Sequence, residues 1–226
     1  MRPLVIAHRG ASGVELENSR AAFRAAGRLG ADGVELDVHA ARDGTLVVHH
    51  DPRIDGRLIT TLAAAELAQL RLANGEPPPT LDDALAACGA LRVFVELKTL
   101  GPECDAKLLQ VLDRGPHPTG YAVHSFDHRI IKRLGERRPT LPRGVLSSSY
   151  PVRPLVALED AGATMLWQEA DMLDAALVSA VHTMRCAVFV WTVNTDEEME
   201  HALALGVDGI CTNYPDRGRG AVGARD

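Results

Sequence analysis

The most constraining feature of this chain is the regular recurrence of short, β-branched apolar runs between Ala/Leu-rich stretches. The runs are Leu4–His8, Gly33–His39, Thr45–His50, Leu91–Lys98, Tyr121–His124, Gly144–Ser147, Thr164–Gln168, Cys186–Thr192 and Gly209–Thr212. Most are nearly continuous in apolar character, the pattern of parallel strands buried on both faces. The stretches between them carry helix punctuation. Asn18 and Ser19 precede Ala21–Leu29, and Gly30 follows it. Thr195 and Glu198 have capping-box spacing before Met199–Leu205, which Gly206 closes. Strand ends near His8, Asp37, Lys98, His124, Ser147, Gln168, Thr192 and Thr212 make eight units. Most steps between them are about 20–30 residues, the size of one βα repeat.

Eight such units predict an α/β fold, a single (β/α)8 TIM barrel over residues 1–215. The length of 226 residues agrees, since such barrels fill roughly 200–250 residues as one domain. A doubly wound sheet fits less well, because no glycine-rich phosphate loop opens the first helix. The long step from Asp37 to Lys98 holds a hairpin arm, Thr45–His50, turned at Asp43-Gly44. The run Glu76-Pro77-Pro78-Pro79 leads into a helix that starts at Thr80. Residues 216–226 are Gly/Arg-rich and nearly devoid of apolar side chains, so the last helix is expected to be reduced or missing and this segment a flexible tail.

Composition narrows the partners. A hydrophobic fraction of 46% beside 24% charged residues excludes disorder as the main state. Only nine residues are aromatic, which predicts a core of Ala, Leu and Val. The net charge of −6 repels polyanions, so no nucleic acid is expected as a partner, although a local anion site remains open. Cys88, Cys104, Cys186 and Cys211 form no CxxC pair and read as small core residues in a reducing compartment. No apolar run approaches the roughly 18 residues of a membrane span, and no signal-like segment precedes His8. A cytoplasmic location is therefore the expectation.

In a barrel of this kind the reactive groups project from the C-terminal strand ends. Those ends hold His8-Arg9-Gly10, Glu35-x-Asp37, Glu96-x-Lys98 and, on the hairpin arm, His49-His50-Asp51. Residues two apart on a strand share a face, so Glu35 and Asp37 converge. Three carboxylates in an apolar mouth repel one another unless a cation neutralises them. Oxygen-only ligands suit a hard divalent ion, Mg²⁺ or Ca²⁺. With two histidines, a guanidinium and an ammonium nearby, an anionic substrate such as a phosphodiester fits, one imidazole acting as base and the other as acid. His49 and His50 face opposite sides, so only one of them can enter the site. The pattern alone does not decide which.

These residues also carry a resemblance. His8-Arg9-Gly10-Ala11, Glu17-Asn18-Ser19, Gly33-Val34-Glu35-Leu36-Asp37, Asp43-Gly44 and Val47-Val48-His49-His50-Asp51 resemble, in order and spacing, the N-terminal signature of the glycerophosphodiester phosphodiesterase family. Glu96-Leu97-Lys98 is similar to its third-strand motif. Ser125-Phe126-Asp127, Trp191-Thr192-Val193-Asn194 and the stretch from Asp208 to Pro215 are similar to weaker later ones. The resemblance implies His8 and His50 as the acid/base pair, His50 being chosen because it directly precedes Asp51. It implies Glu35, Asp37 and Glu96 as ligands of one divalent cation, and Arg9 and Lys98 as phosphate contacts. Glu17 and Asn18 become supporting groups near the metal, and Trp191 an apolar wall for the glycerol end. The implied reaction is metal-dependent hydrolysis of a small-molecule glycerophosphodiester to sn-glycerol 3-phosphate and an alcohol.

Three departures from the family pattern stand out. The insertion after Asp51 is short, Pro52-Arg53-Ile54-Asp55-Gly56 leading quickly to a helix near Thr60, which opens the pocket toward lysophospholipids. His124 replaces a small or apolar residue and, with Phe126, is expected to line the substrate pocket. The tail after Pro215 is the third. The alternatives are a phospholipase-like attack by a substrate hydroxyl on a lysophospholipid, releasing a cyclic phosphate, and a binding module without turnover. An unrelated sugar-phosphate isomerase is disfavoured because Thr192–Asn194 and Thr212–Asn213 lack a glycine-rich phosphate cradle.

Overall fold

A computed structural model of the chain describes residues 2–224. Its strands are β1 (Leu4–His8), β2 (Gly33–Ala40), β3 (Leu46–Val48), β4 (Arg53–Ile54), β5 (Arg57–Leu58), β6 (Arg92–Thr99), β7 (Tyr121–Ser125), β8 (Arg143–Ser147), β9 (Met165–Glu169), β10 (Ala187–Trp191) and β11 (Gly209–Thr212). The helices are α1 (Arg20–Arg28), α2 (Ala64–Leu67), α3 (Leu81–Cys88), α4 (Asp105–Arg114), α5 (His128–Arg137), α6 (Val156–Ala161), α7 (Ala175–Thr183), α8 (Asp196–Ala204) and α9 (Pro215–Gly223). β1, β2, β6, β7, β8, β9, β10 and β11 neighbour one another in that order, all parallel. β11 returns to β1, with Leu4 opposite Gly209 and Ala7 opposite Thr212. The eight parallel strands therefore close into the expected barrel, with β3 as an antiparallel arm on β2.

Helix starts follow the sequence cues. The Ser19 side chain accepts from the Ala22 amide to begin α1. Thr80 with Asp83, and Thr195 with Glu198, form reciprocal capping boxes ahead of α3 and α8. β3 pairs antiparallel with β2, Val38 opposite Val48, as the Asp43-Gly44 turn predicts.

Strand parity divides the interior. Outward positions such as Val5, Val34, Leu36, Val93, Val95, Val123 and Val188 pack against the helices in a layer rich in Ala, Leu and Val. Inward positions form a second cluster of Ile6, Phe94, Ala122, Leu146, Met165, Trp167, Phe189 and Cys211. There Trp167 stacks on Phe189 at 4.8 Å between centroids and meets Phe94 edge-on at 5.1 Å. The core of small aliphatics thus describes the outer layer only. The lumen floor is aromatic, because a closed barrel leaves a wide axial space that few large side chains can fill.

Two further regions differ from the expectation. The segment after Asp51 is not a bare loop: β4 and β5 form a small ribbon turned at Asp55-Gly56. Ile54, Ile59, Leu62, Leu67 and Leu70 cluster beneath it with Ala41 and Val47, so the insertion has its own apolar footing. The tail is corrected as well. Residues 216–223, expected to be a flexible tail after a reduced or missing last helix, belong to the short helix α9, and Pro215 occupies its first turn. Val222 is buried, and a Cβ at Gly218 would stand 2.9 Å from Val5 Cγ1, so the missing side chains are what let this short helix lie against β1. The remaining two residues of that segment, 225 and 226, lie outside the described residues. All four cysteines are free and buried. Arg133 and Arg137 converge on the buried Asp105 at 2.8 and 2.9 Å, and Arg138 forks onto Asp113.

Candidate active site

The polar residues of the strand ends share parity with the lumen residues. Above the aromatic floor, His8, Glu35, Glu96, Lys98, His124 and Trp191 turn inward and, with Arg9, His50, Phe126, Leu146, Trp167 and Cys211, line a cavity of about 210 Å³. His50 reaches it from the end of the hairpin arm, while His49 lines a separate outer groove beside Leu16, Arg53 and Arg71. His50 borders both surfaces and His49 only the outer one, so of the consecutive histidines the cavity takes His50.

The turn after β1 sets the first contacts. Arg9 and Gly10 adopt φ of 55° and 80°, and a Cβ at Gly10 would lie 2.7 Å from that of Ala22. This reversal points the Arg9 amide at Glu35 Oε2, 3.1 Å away. Arg9 Nη1 donates to both Glu17 carboxylate oxygens, at 2.9 and 3.1 Å, and Nε lies 3.2 Å from Asp37 Oδ2. Lys98 Nζ pairs with Asp37 at 3.0 Å and with Glu96 at 2.7 Å. Asn18, also left-handed at φ 54°, donates its amide to Asp37 Oδ2 at 2.7 Å; Asn tolerates that conformation better than most residues. Glu17 therefore supports Arg9, and Asn18 supports Asp37.

The carboxylates respond differently to the same burial. For Asp37, desolvation is outweighed by Lys98, Arg9 and the Asn18 amide, which together hold it down to about 2. Burial pushes Glu35 up to about 7, helped by the Asp37 charge and opposed by His8, Arg9 and Lys98. Glu96 is likewise raised to about 7 by burial, then by Glu35 and Asp37. Two carboxyls that resist ionising beside one firmly ionised is the signature of a site short of positive charge.

The two cavity histidines each have one nitrogen assigned. His8 Nδ1 lies 2.8 Å from Asn213 Oδ1, and His50 Nδ1 lies 2.9 Å from Asp51 Oδ1. Each acceptor holds a proton on Nδ1, which leaves Nε2 as the nitrogen that can exchange a proton with the cavity. Asn213 is in turn fixed through its own amide, which donates to Asn194 Oδ1 at 2.9 Å. His39 Nε2 donates to the His50 carbonyl at 3.1 Å and so anchors that arm. Asn213, Asn194 and His39 were not singled out as site residues from sequence. Their only signals are positional: Asn213 and Asn194 follow the last two barrel strands, and His39 lies two residues beyond Asp37 on the same strand.

Among the described residues, Glu35, Glu96 and His124 offer ligand atoms that all lie within 4.8 Å of one another. That spread suits one ion held about 2.0–2.6 Å from each donor. Glu35 Oε1 is buried without a hydrogen-bond partner, as expected of an oxygen meant for a cation. Asp37, expected to be a third ligand, is engaged by Arg9 and Lys98 and stands outside this group. His124 was expected only to line the pocket and stands inside it. Phe126 and Trp191 meet edge-on at 5.7 Å on one wall of the cavity.

Comparison with known proteins gives the same direction. Residues 8–217 match the glycerophosphoryl diester phosphodiesterase family. A glycerophosphodiester phosphodiesterase of Caldanaerobacter subterraneus subsp. tengcongensis is 32% identical over 233 residues, covering 96% of each chain. A solved phosphodiesterase of Oleispira antarctica, in complex with the product sn-glycerol-3-phosphate, superposes with a TM-score of 0.90 at 26% identity, covering 98% of this chain and 97% of that one. A glycerophosphodiester phosphodiesterase of Parabacteroides distasonis superposes at 0.89 with 28% identity, covering 99% and 98%. With its barrel closed, its cavity at the strand ends and nearly its whole length matched, the chain belongs to the glycerophosphoryl diester phosphodiesterase family.

Proposed function

We propose that the chain hydrolyses glycerophosphodiesters to sn-glycerol 3-phosphate and an alcohol with the help of one divalent cation. The observation that carries this reading is the joint lining of one small cavity by two singly assigned imidazoles, two cations and converging carboxylates. Arg9 can offer a planar fork to two phosphate oxygens, and Lys98 a point charge. At rest Arg9 is shared by Glu17 and Asp37, and Lys98 by Asp37 and Glu96. An incoming phosphodiester competes for them and frees the Asp37 carboxylate to turn toward Glu35 and Glu96. A divalent cation held there supplies Lewis-acid polarisation of a phosphoryl oxygen; Mg²⁺ and Ca²⁺ are the ions that oxygen ligands alone would favour.

The proton traffic belongs to His8 and His50. Water attacks phosphorus, the imidazole that enters neutral takes its proton on Nε2, the phosphorus–oxygen bond to the alcohol breaks, and the other imidazole, which enters protonated on Nε2, gives that proton to the departing oxygen. Phe126 and Trp191 offer the glycerol carbons an apolar wall. Glycerophosphocholine, glycerophosphoethanolamine and glycerophosphoinositol, each assayed with Mg²⁺, Ca²⁺ and Mn²⁺ and followed by phosphorus NMR, test the reading. Release of glycerol phosphate is expected. Its absence from all three substrates with every cation rejects the hydrolase.

A second reading has one observation in its favour. The exposed large apolar side chains Val14, Phe126, Tyr150, Val152 and Met172 all lie in loops that follow barrel strands, hence around the cavity mouth. The cavity itself, about 210 Å³, is below the roughly 300–1,000 Å³ of pockets that enclose drug-sized ligands. An acyl chain would lie on that rim rather than inside. Lysophosphatidylcholine is the substrate that tests this, and a persistent cyclic phosphate would mark attack by its own hydroxyl in place of water.

A further inference from the structure

His124 is the residue that neither the packing nor the acid/base scheme explains. Its side chain is 1% exposed, yet neither ring nitrogen has a hydrogen-bond partner among the described residues. A buried imidazole ordinarily satisfies both nitrogens, and leaving them bare forfeits their hydration with nothing in return. The ring is held edge-on against Trp167, 4.3 Å between centroids, so it is not free to turn elsewhere. Its Nε2 stands 3.8 Å from Glu35 Oε1, too far for a hydrogen bond, and that oxygen is itself unpartnered. Register explains the placement. Glu96 on β6 sits opposite His124 on β7, and Glu35 comes from β2, the strand on the other side of β6. Three consecutive barrel strands therefore aim one nitrogen and two carboxylate donors into one gap.

Resting on the metal-binding part of the proposed function, we infer that His124 is a nitrogen ligand of the bound cation, so that the site is a mixed imidazole–carboxylate centre selecting a first-row transition ion such as Mn²⁺ or Co²⁺ over Mg²⁺ or Ca²⁺. The choice follows from donor chemistry. Imidazole suits transition ions, whereas Mg²⁺ and Ca²⁺ take oxygen almost exclusively. The oxygen-only set of Glu35, Asp37 and Glu96 would carry no such preference. Lys98 engages Glu96 at 2.7 Å as well as Asp37 at 3.0 Å, so His124 and Glu35 Oε1 are the donors that face the gap with no partner to displace.

The test reads the metal rather than turnover. The full chain is loaded with Mn²⁺ and examined by pulsed electron paramagnetic resonance for coupling to a coordinated imidazole nitrogen. Competition calorimetry then measures the ratio of Co²⁺ to Mg²⁺ affinity. Coupling is expected in the unaltered protein, and it should persist in His8→Ala and His50→Ala but vanish in His124→Asn. The Co²⁺/Mg²⁺ ratio should fall on the order of 10–100-fold in His124→Asn. His124→Ala serves as a second variant should the amide perturb folding, and the spectrum of the unaltered protein needs neither. Bound Mn²⁺ without nitrogen coupling, or coupling that survives the loss of His124, overturns the inference and leaves the hydrolase reading standing. Failure of the unaltered protein to bind any of the four ions overturns the inference and the metal-dependent reading together.

Discussion

At the scale of single residues, the site is organised by who holds which proton. His8→Ala and His50→Ala are each expected to lower kcat by on the order of 10²–10⁴, with metal affinity retained by calorimetry. Near-normal turnover in either variant would remove that histidine from the mechanism. In the proposed mechanism Asn213 would act through His8 rather than on substrate, by holding a proton on Nδ1 and so presenting Nε2 to the cavity. Losing a hydrogen bond of about 0.5–1.5 kcal/mol in Asn213→Ala should cost up to roughly tenfold in kcat. Because only the fraction of correctly oriented imidazole changes, KM should stay nearly constant in steady-state kinetics.

At the scale of elements, α9 is the clearest case of a helix the composition conceals. Pro215 starts it, Gly218 lets it approach β1, and the buried Val222 anchors it. Val222→Ala removes two methyl groups, about 0.8 kcal/mol each, for a loss of roughly 1.6 kcal/mol. Gly218→Leu should destabilise too, because its side chain must enter space held by Val5. Both are read as falls in midpoint on denaturant unfolding. An unchanged midpoint for both would return this segment to the bare tail that its composition suggests. The β4–β5 ribbon teaches the same lesson. Asp55-Gly56 is a hairpin signal as good as Asp43-Gly44, but strands of two residues carry too little periodicity to be read.

For the molecule as a whole, the buried carboxylates tie stability to pH and to metal. In the metal-free protein Glu35 and Glu96 keep their protons up to about 7, whereas in the unfolded chain they release them near the ordinary value of 4.5. The folded state then binds more protons across that window, so stability falls as pH rises through it and the full penalty stands above it. Asp37 acts in the opposite direction at lower pH. Its folded value of about 2 lies below the ordinary 3.8, so its contribution is lost as pH falls through that interval. Melting temperature in chelator should therefore decline between about pH 4.5 and 7 from the two glutamates. A divalent cation at 100 times its Kd should restore about 2.7 kcal/mol. Binding near pH 6 should release protons, seen as a buffer-dependent heat in calorimetry. A melting temperature that rises across the window without metal would contradict the assigned glutamates.

The sequence by itself determined the order of strands and helices, the closed parallel barrel, the hairpin arm and the polar groups at the strand ends. Those properties are written in local periodicity, caps and turn residues, which act over a few positions. What the tertiary structure alone decided are relations between strands. Barrel closure sends His50 into the cavity and His49 outside it. The register of β2, β6 and β7 brings ligand atoms of Glu35, Glu96 and His124 within 4.8 Å of one another. Asn213 reaches His8 across 205 positions of sequence because β11 lies beside β1. No local pattern encodes such distances; they follow from which strands become neighbours and from the low-dielectric lumen in which their side chains must find partners.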